Sequence, residues 1–341
     1  MIFPGRAAES IAQAALVLRS GELIGLPTET VYGLAADAGN EAAVAKIFAA
    51  KGRPSNHPLI VHVCDASGVA HFADNVPAFA NLLIKAFWPG PLTLILPRRT
   101  GVAAAAAGGQ NSIGLRCPSH PVAQALLATL ASDPHPVYGL AAPSANQFGR
   151  VSPTTAAHVQ SEMGADLLIL DGGACDVGIE STIVDCTRGV PVLLRPGHIT
   201  AAQMKAACGQ QVLSEDELID QTEVAPRASG TLESHYAPNA KVRLMDDKAL
   251  QHALDMLGAD MDAKPGAAPV IAVYSRAILK SRSSKVLRRR MPDDAAATAQ
   301  QLFSVLREFD AQGVKLIWVE TPPATPDWDG VRDRLTRASA G

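Results

Sequence analysis

Two permanent cations, Lys51 and Arg53, stand two residues apart in the segment KGRPSNHPLIVHV. They follow a helical pattern and precede an apolar, β-branched run, so Gly52 and Pro54 place them in a rigid turn between two elements. Such cations can simply oppose the negative end of the helix dipole. A fork-shaped Arg and a point-charge Lys in a rigid turn also suit the binding of a polyanion. Both interpretations stay open on these residues alone.

Two further arginines lie within apolar strand patterns, Arg116 in IGLRCP and Arg195 in LLRPG. Because a buried Arg keeps its charge, it needs an ionic partner or an anion in a cleft. Ser144 and Asn146 in APSAN follow a predicted strand, where open α/β sheets often hold ligands. A turn or a helix cap is the alternative for these two residues. Two buried arginines favour an anion site over a simple ion-pair network.

Hydroxyl side chains are concentrated in two other segments. PTETVYGL contains Thr28, Thr30 and Tyr32, and GIESTIVD contains Ser181 and Thr182 at the entry of a strand. These groups can read a polar substrate through short hydrogen bonds. They can equally be the internally satisfied hydroxyls of a turn.

The histidines favour hydrogen bonding over metal binding. His57 and His62 are five residues apart across a proline, which does not suit one shared ion. His235 and Tyr236 stand in HYAP, within a polar linker, where they can anchor that linker to a domain. The sequence has none of the common nucleotide, hydrolase or metalloprotease loops, so no metal cluster is predicted.

The elements that must position these residues alternate irregularly. Periodicity predicts helices over 8–19, 40–51, 78–87 and 121–130, and another that begins at Ser152 with Pro153 in its first position. Strands outnumber helices without forming hairpins or strict alternation, which predicts a mixed α/β sheet. A strand and helix alternation after residue 241 is typical of a small parallel domain. We therefore predict a catalytic domain over 1–208, a linker over 209–240 and a second domain over 241–341.

Composition excludes little. The 341 residues carry a formal net charge of -3, with 48% hydrophobic and 18% charged residues, as expected of a globular protein. Five scattered cysteines predict neither a disulfide framework nor structural zinc and favour the cytoplasm. We predict no signal peptide and no membrane span. The basic run KSRSSKVLRRR can contact phosphates, but a solvated loop is favoured.

Nine segments in this order resemble the threonylcarbamoyl-AMP synthase family. They are PTETVYGL, KGRPSNHPLIVHV, FWPGPLTLIL, IGLRCP, APSAN, SPTT, VGIESTIVD, LLRPG and HYAP. The resemblance covers about residues 8–240, and the second domain resembles the long form of the family. It implies a YrdC-like twisted mixed sheet with a concave cavity and a small Rossmann-like C-terminal α/β domain.

The resemblance also implies an activity and a set of site residues. The family combines L-threonine, bicarbonate and ATP into L-threonylcarbamoyladenylate and pyrophosphate, and a partner transferase complex uses this product to modify the adenosine next to the tRNA anticodon. We expect Mg²⁺ with ATP, because it reduces the repulsion between the carbamate and the phosphates. Lys51 and Arg53 would be catalytic. For ATP, the implied contacts are Lys51, Arg53, His57, Ser112, Ser144, Asn146, Ser152, Arg195, His235 and Tyr236. For threonine, they are Thr30, Tyr32, His62, Arg116, Ala142, Ser181 and Thr182.

In this resemblance, His57 stands where the family often has Asn, and the linker is expected to cover the cavity. The alternative function is an RNA-binding module of the same fold without synthase activity. Weak RNA binding through the basic run is also compatible with the synthase interpretation.

Overall fold

The computed structural model describes residues 1–218, 226–230, 235–257, 271–281, 283 and 285–341. The chain forms two compact units. The N-terminal unit comprises Met1–Phe148 and Ser152–Thr231, and the C-terminal unit comprises Gly149–Val151 and Leu232–Gly341. The described parts of the linker are therefore divided between the units, with 209–218 and 226–230 in the first and 235–240 in the second.

The described residues of the N-terminal unit form one mixed sheet of eleven strands in the order β1-β8-β2-β3-β7-β4-β6-β5-β9-β10-β11. The strands are β1 Ile2–Pro4, β2 Ile24–Leu26, β3 Gly33–Asp37, β4 Ile60–His62, β5 Leu92–Pro97, β6 Ser112–Arg116, β7 Leu140–Ala141, β8 Leu168–Asp171, β9 Thr182–Asp185, β10 Val192–Arg195 and β11 Leu213–Ser214. Parallel pairs such as β4 with β6 adjoin antiparallel pairs such as β5 with β6. The predicted mixed sheet is confirmed.

Helices pack on both faces of this sheet. They are α1 Ala8–Arg19, α2 Glu41–Lys51, α3 Val69–Phe72, α4 Ala78–Phe87, α5 Pro121–Ala131, α6 Ala156–Met163 and α7 Ala201–Cys208. In β3, Leu34 and Ala36 belong to the cluster that contains α2, whereas Ala35 belongs to the cluster formed by α1 and α5. The two-residue period of the strand thus divides the core between two faces.

Helix α2 has clear start and stop signals. The Asn40 side chain accepts a hydrogen bond from the Ala43 N–H at 3.1 Å, and Gly52 ends the helix in the left-handed conformation with φ 60°. Val44, Ile47 and Phe48 are buried on one face. Consequently Lys51 and Arg53 leave the helix end in a defined direction.

The C-terminal unit has a four-stranded parallel sheet among its described residues, in the order β12-β15-β13-β14. Its strands are β12 Lys241–Met245, β13 Ile271–Ser275, β14 Val286–Arg290 and β15 Leu316–Glu320. Its helices are α8 Asp247–Leu257, α9 Ala295–Ala311 and α10 Asp329–Ser339. The predicted parallel α/β domain is confirmed.

Two local predictions are wrong. The predicted helix does not begin at Ser152, because the Thr155 side chain caps α6 and the Ser152 hydroxyl bonds Glu180 instead. The basic run is not a loop throughout, since Val286–Arg290 pairs with β13 along the sheet edge. The described part of the chain contains no helix that is long and apolar enough to cross a membrane.

Candidate active site

The two cations at the end of α2 are buried and engaged. Lys51 is 2% exposed, and its ammonium donates hydrogen bonds to the backbone carbonyls of Ser144, at 2.5 Å, and Asn146. Arg53 donates to the Pro58 carbonyl at 2.8 Å, and its guanidinium lies 5.7 Å from the Phe148 ring centre. The APSAN turn and the end of α2 therefore form one side of the site.

Lys51 has an unusual titration. Burial, followed by the charge of Arg53, lowers the pKa of its ammonium from 10.5 to about 7, while Glu162 opposes both effects. A buried cation beside a second cation is costly without an anion. Perturbed lysines of this kind are typical of functional sites.

Ser229 connects two arginines that are far apart in the sequence. Its hydroxyl accepts a hydrogen bond from Arg53 at 3.1 Å, and its carbonyl accepts one from Arg195 at 2.8 Å. The same hydroxyl donates to the Pro58 carbonyl at 2.8 Å. The two guanidiniums thus lie within reach of a single bridging group.

Arg195 is held at the end of β10 by the segment that precedes β9. It is 2% exposed, and its Nε and Nη2 donate to the Ser181 carbonyl at 3.0 and 2.9 Å. The Ser181 hydroxyl lies 2.7 Å from the hydroxyl of Thr93 in β5. Ser181 therefore links Arg195 to the centre of the sheet.

Arg116 is fixed by the turn between β2 and β3. Its Nη1 donates to the Thr30 hydroxyl at 2.8 Å, its Nε donates to the Gly90 carbonyl at 3.3 Å, and its Nη2 lies 2.8 Å from Oε1 of Glu29. The Thr28 hydroxyl in turn lies 2.9 Å from that of Thr30. The buried arginine thus has an ionic partner, Glu29, which the sequence analysis did not identify.

His62 lies beside Arg116 in the sheet, because the two residues are opposite each other in the parallel register of β4 and β6. Burial, followed by the charge of Arg116, lowers the pKa of the imidazole to about 3. His62 is therefore neutral at physiological pH. The backbone carbonyls of Ile60 and Leu140 partly oppose this decrease in the pKa.

Several predicted site residues make internal contacts in the N-terminal unit. The Tyr32 hydroxyl donates to the Gly173 carbonyl at 2.8 Å, and burial raises its pKa. The Thr182 hydroxyl donates to the Ile199 carbonyl at 2.8 Å. Asn146 is buried, and its amide donates to the Gln147 carbonyl at 2.7 Å.

Ala142 and Ser112 occupy strand ends. Ala142 follows β7 and donates its N–H to the Ile60 carbonyl at 3.1 Å, while Ser112 begins β6. His57 packs edge-on against Phe148 at 5.6 Å between ring centres. Burial, then the charges of neighbouring arginines, lower the pKa of His57.

The HYAP residues belong to the C-terminal unit. The His235 N–H donates to the Arg337 carbonyl at 3.3 Å, and the Tyr236 ring stacks on Phe303 at 5.6 Å. The Arg334 guanidinium lies 5.2 Å from the Tyr236 ring centre. These contacts anchor the end of the linker to its own unit, while the predicted nucleotide contacts of both residues stay predictions.

Three residues of the site were missed by sequence reasoning. Glu29 is the only charged residue between 23 and 36, and this isolated charge in an apolar segment was an available signal. Glu180, which accepts a hydrogen bond from Ser152, lies within the quoted GIESTIVD segment. Ser229 gave no signal, because small polar residues are common in linkers.

The fold and the buried cations define a Sua5/YrdC-type domain. A family model described as "Telomere recombination", which groups the Sua5, YciO and YrdC proteins, matches residues 16–197. A second model, described as "Threonylcarbamoyl-AMP synthase, C-terminal domain", matches residues 199–340. The chain belongs to the threonylcarbamoyl-AMP synthase family.

Relatives with this description match nearly the whole chain. The threonylcarbamoyl-AMP synthase of Bacillus subtilis is 38% identical over 337 residues, which cover 97% of this chain and 93% of the relative. That of Schizosaccharomyces pombe is 33% identical and covers 99% of this chain and 90% of its own. These relatives are named as synthases, which supports the predicted function and not the RNA-binding alternative.

Solved structures of Pyrococcus abyssi Sua5 confirm the predicted fold. The structure complexed with L-threonine has a TM-score of 0.85 and 33% identity, covering 99% of this chain and 97% of that chain. A variant of the same protein, with a neighbouring His and Tyr replaced by Ala, has a TM-score of 0.85 and 32% identity.

Proposed function

We propose that this protein converts L-threonine, bicarbonate and ATP into L-threonylcarbamoyladenylate and pyrophosphate by adenylyl transfer. The nucleotide site is assigned mainly from the contacts of Ser229, which accepts hydrogen bonds from Arg53 at 3.1 Å and from Arg195 at 2.8 Å. Two guanidiniums that both contact Ser229 are close enough to bind one triphosphate. Lys51 adds a third buried cation on the Arg53 side.

The chemistry requires alignment more than covalent participation of the protein. The threonine ammonium loses a proton to solvent, and its nitrogen attacks the bicarbonate carbon, with loss of water, to form a carbamate. A carbamate oxygen then attacks the α-phosphorus of ATP in line, and pyrophosphate leaves. Positioning and charge stabilisation dominate the catalysis of such an adenylyl transfer.

The buried cations supply the charge stabilisation. Lys51 and Arg53 would neutralise charge as the carbamate approaches the phosphates, and Arg195 would bind the departing pyrophosphate. Because a polyphosphate favours the charged form of Lys51, nucleotide binding should raise the lowered pKa of this residue. The remaining proposed ATP contacts are His57, Ser112, Ser144, Asn146, Ser152, His235 and Tyr236.

Threonine would bind on the Arg116 side. The planar guanidinium matches a carboxylate, and neutral His62 can hydrogen-bond the substrate hydroxyl. Ser181 is a further proposed threonine contact, and its carbonyl accepts a hydrogen bond from Arg195 of the proposed ATP site. The remaining proposed threonine contacts are Thr30, Tyr32, Ala142 and Thr182.

Mg²⁺ is proposed to enter as part of the substrate, bound to the ATP phosphates. The described part of the chain has no group of three or more His, Cys, Asp or Glu side chains able to hold a metal ion. A Mg²⁺ ion that keeps several waters and binds mainly phosphate oxygens needs few protein ligands. The product is proposed to pass to a transferase complex that modifies the adenosine next to the tRNA anticodon.

Pyrophosphate release from ATP tests the proposal. We expect release that requires both threonine and bicarbonate and that is lost in Lys51→Ala and Arg53→Ala. Lys46→Ala is the matched control, because Lys46 lies on the same helix but pairs with Glu22 at the surface. Release without threonine, or unchanged release in both site variants, would contradict the proposal.

A further inference from the structure

Glu29 and Arg116 form a buried ion pair whose polar atoms are incompletely satisfied. The side chains are 7% and 4% exposed, and Oε1 of Glu29 lies 2.8 Å from Nη2 of Arg116. Oε1 of Glu29 and Nη2 of Arg116 have only this ionic contact with each other, and within the described residues Oε2 of Glu29 has no hydrogen-bond partner.

Such an arrangement needs an explanation. Buried polar groups almost always have hydrogen-bond partners, and a buried charge pair is costly unless additional hydrogen bonds complete it. A buried carboxylate oxygen without a partner, beside a guanidinium that has only an ionic contact at Nη2, therefore indicates a ligand that donates hydrogen bonds to Glu29 and accepts them from Arg116.

The backbone fixes the position of Glu29 independently of Arg116. The Thr28 hydroxyl accepts hydrogen bonds from the N–H groups of Thr30, at 3.3 Å, and Val31, at 3.2 Å. The Glu29 carbonyl accepts a hydrogen bond from the Val177 N–H at 2.7 Å. The backbone of Glu29 is thus fixed on both sides of its turn without any contribution from Arg116.

We propose that Glu29 binds the α-ammonium group of the amino-acid substrate while Arg116 binds its carboxylate. An α-amino acid carries an anion and a cation on one carbon, and this pattern is complementary to a guanidinium and a carboxylate 2.8 Å apart. The inference rests on the proposed function and assigns it a residue for substrate recognition. Glu29 would orient the nitrogen that, once deprotonated, attacks the bicarbonate carbon.

A ligand series with the wild-type protein tests the proposal first. Calorimetric titrations would use α,β-methylene-ATP, whose α–β linkage does not break, and would compare L-threonine with 2,3-dihydroxybutanoate of the same configuration. This analogue keeps the carboxylate and replaces the ammonium with a hydroxyl. We expect it to bind at least about 10-fold more weakly than threonine, because it lacks charge-assisted hydrogen bonds to Glu29. Equal affinities would overturn the proposal without any variant.

The Glu29→Gln variant separates ammonium binding from the positioning of Arg116. We expect its affinity for threonine to fall about 10- to 100-fold while its affinity for the analogue stays unchanged or rises. Glu22→Gln, which changes an exposed carboxylate, is the matched control and should match the wild type. An equal loss for both ligands would show that Glu29 only positions Arg116, and no loss for either would exclude the role altogether.

The proposed function is tested separately in the same preparations. If wild-type protein releases pyrophosphate in a threonine-dependent manner and Glu29→Gln binds threonine normally, only the role of Glu29 is overturned. If the wild type neither binds threonine nor requires it for pyrophosphate release, the proposed function itself fails.

Discussion

Replacing Lys51 by Met should reduce activity strongly without strongly destabilising the fold. The substitution keeps a long, unbranched side chain but removes the ammonium that contacts the Ser144 and Asn146 carbonyls. Loss of one preorganised donor to a developing charge typically lowers kcat about 10²- to 10³-fold. We expect a decrease of that size in Lys51→Met.

The effect on stability follows from two opposing contributions. The pKa of Lys51 falls from 10.5 to about 7, so at about 1.4 kcal/mol per pKa unit the fully protonated side chain costs the fold about 5 kcal/mol. Removal of the ammonium leaves two carbonyls without a donor, at about 1–3 kcal/mol each. These contributions largely cancel. The free energy of unfolding at pH 7, measured by urea unfolding, should therefore rise by no more than about 3 kcal/mol or fall by no more than about 1 kcal/mol.

The stability and the activity of the wild type should change in opposite directions as the pH rises. Because the lowered pKa makes the unfolded chain bind more protons between pH 7 and 10.5, wild-type stability gains from Lys51 as pH rises through this range. Activity has the opposite trend, since kcat/KM for ATP should fall as Lys51 deprotonates above about pH 7.

Lys51→Arg provides the comparison, because an Arg side chain stays charged throughout this range. Its kcat/KM should be lower than in the wild type but should lack the decrease above pH 7. Retained activity or strong destabilisation of Lys51→Met, or a decrease in kcat/KM above pH 7 that persists in Lys51→Arg, would exclude this role for Lys51.

Three other substitutions test particular contacts. Arg116→Lys should raise KM for threonine about 10- to 100-fold while KM for ATP changes less than about 3-fold, because Lys cannot bind a carboxylate with a planar fork; equal changes for both substrates would be inconsistent with this role. The lowered pKa of His62, about 3 in the fold against 6.5, means that the unfolded chain binds more protons between these values, so stability falls as pH decreases through this range by up to about 1.4 kcal/mol per pH unit. When the free energy of unfolding is measured with urea from pH 4 to 7, it should change less with pH in His62→Asn than in the wild type, and an identical dependence on pH would count against this explanation. Gly52→Ala should lower the free energy of unfolding by about 1 kcal/mol, because φ is 60° at this position, and thermal unfolding would detect it; an unchanged stability would argue against strain there.

The sequence predicted the elements that have strong local signals. Helix α2 could be located because Asn40 and Gly52 mark its ends and its buried face has helical spacing. The strands that contain Arg116 and Arg195 were recognisable from apolar, β-branched runs. These signals depend only on neighbouring residues.

Other features depended on contacts that are distant in the sequence. Ser152 has the residue type of a helix cap, yet its hydroxyl bonds Glu180, which lies 28 residues away. The strand Val286–Arg290 is rich in arginine because it lies at a sheet edge, where charged side chains face solvent. Local patterns therefore favoured the wrong helix start and a loop.

The candidate active site also depends on contacts between residues that are distant in the sequence. The cations were identified one by one, but the contact of Ser229 with both Arg53 and Arg195 could not be predicted from spacing. Glu29 was overlooked because a single carboxylate beside threonines resembles an ordinary turn. Its pairing with Arg116 becomes visible only when β6 and the turn before β3 are adjacent.

In the proposed reaction, one site of this protein holds ATP beside threonine and joins them through bicarbonate. The decisive measurement is mass spectrometry of the product formed from ¹³C-bicarbonate, L-threonine and ATP. We expect an adenylate that contains threonine and one ¹³C atom, formed in equal amount to the pyrophosphate released. Release of pyrophosphate with AMP alone, and without a labelled adenylate, would contradict the account.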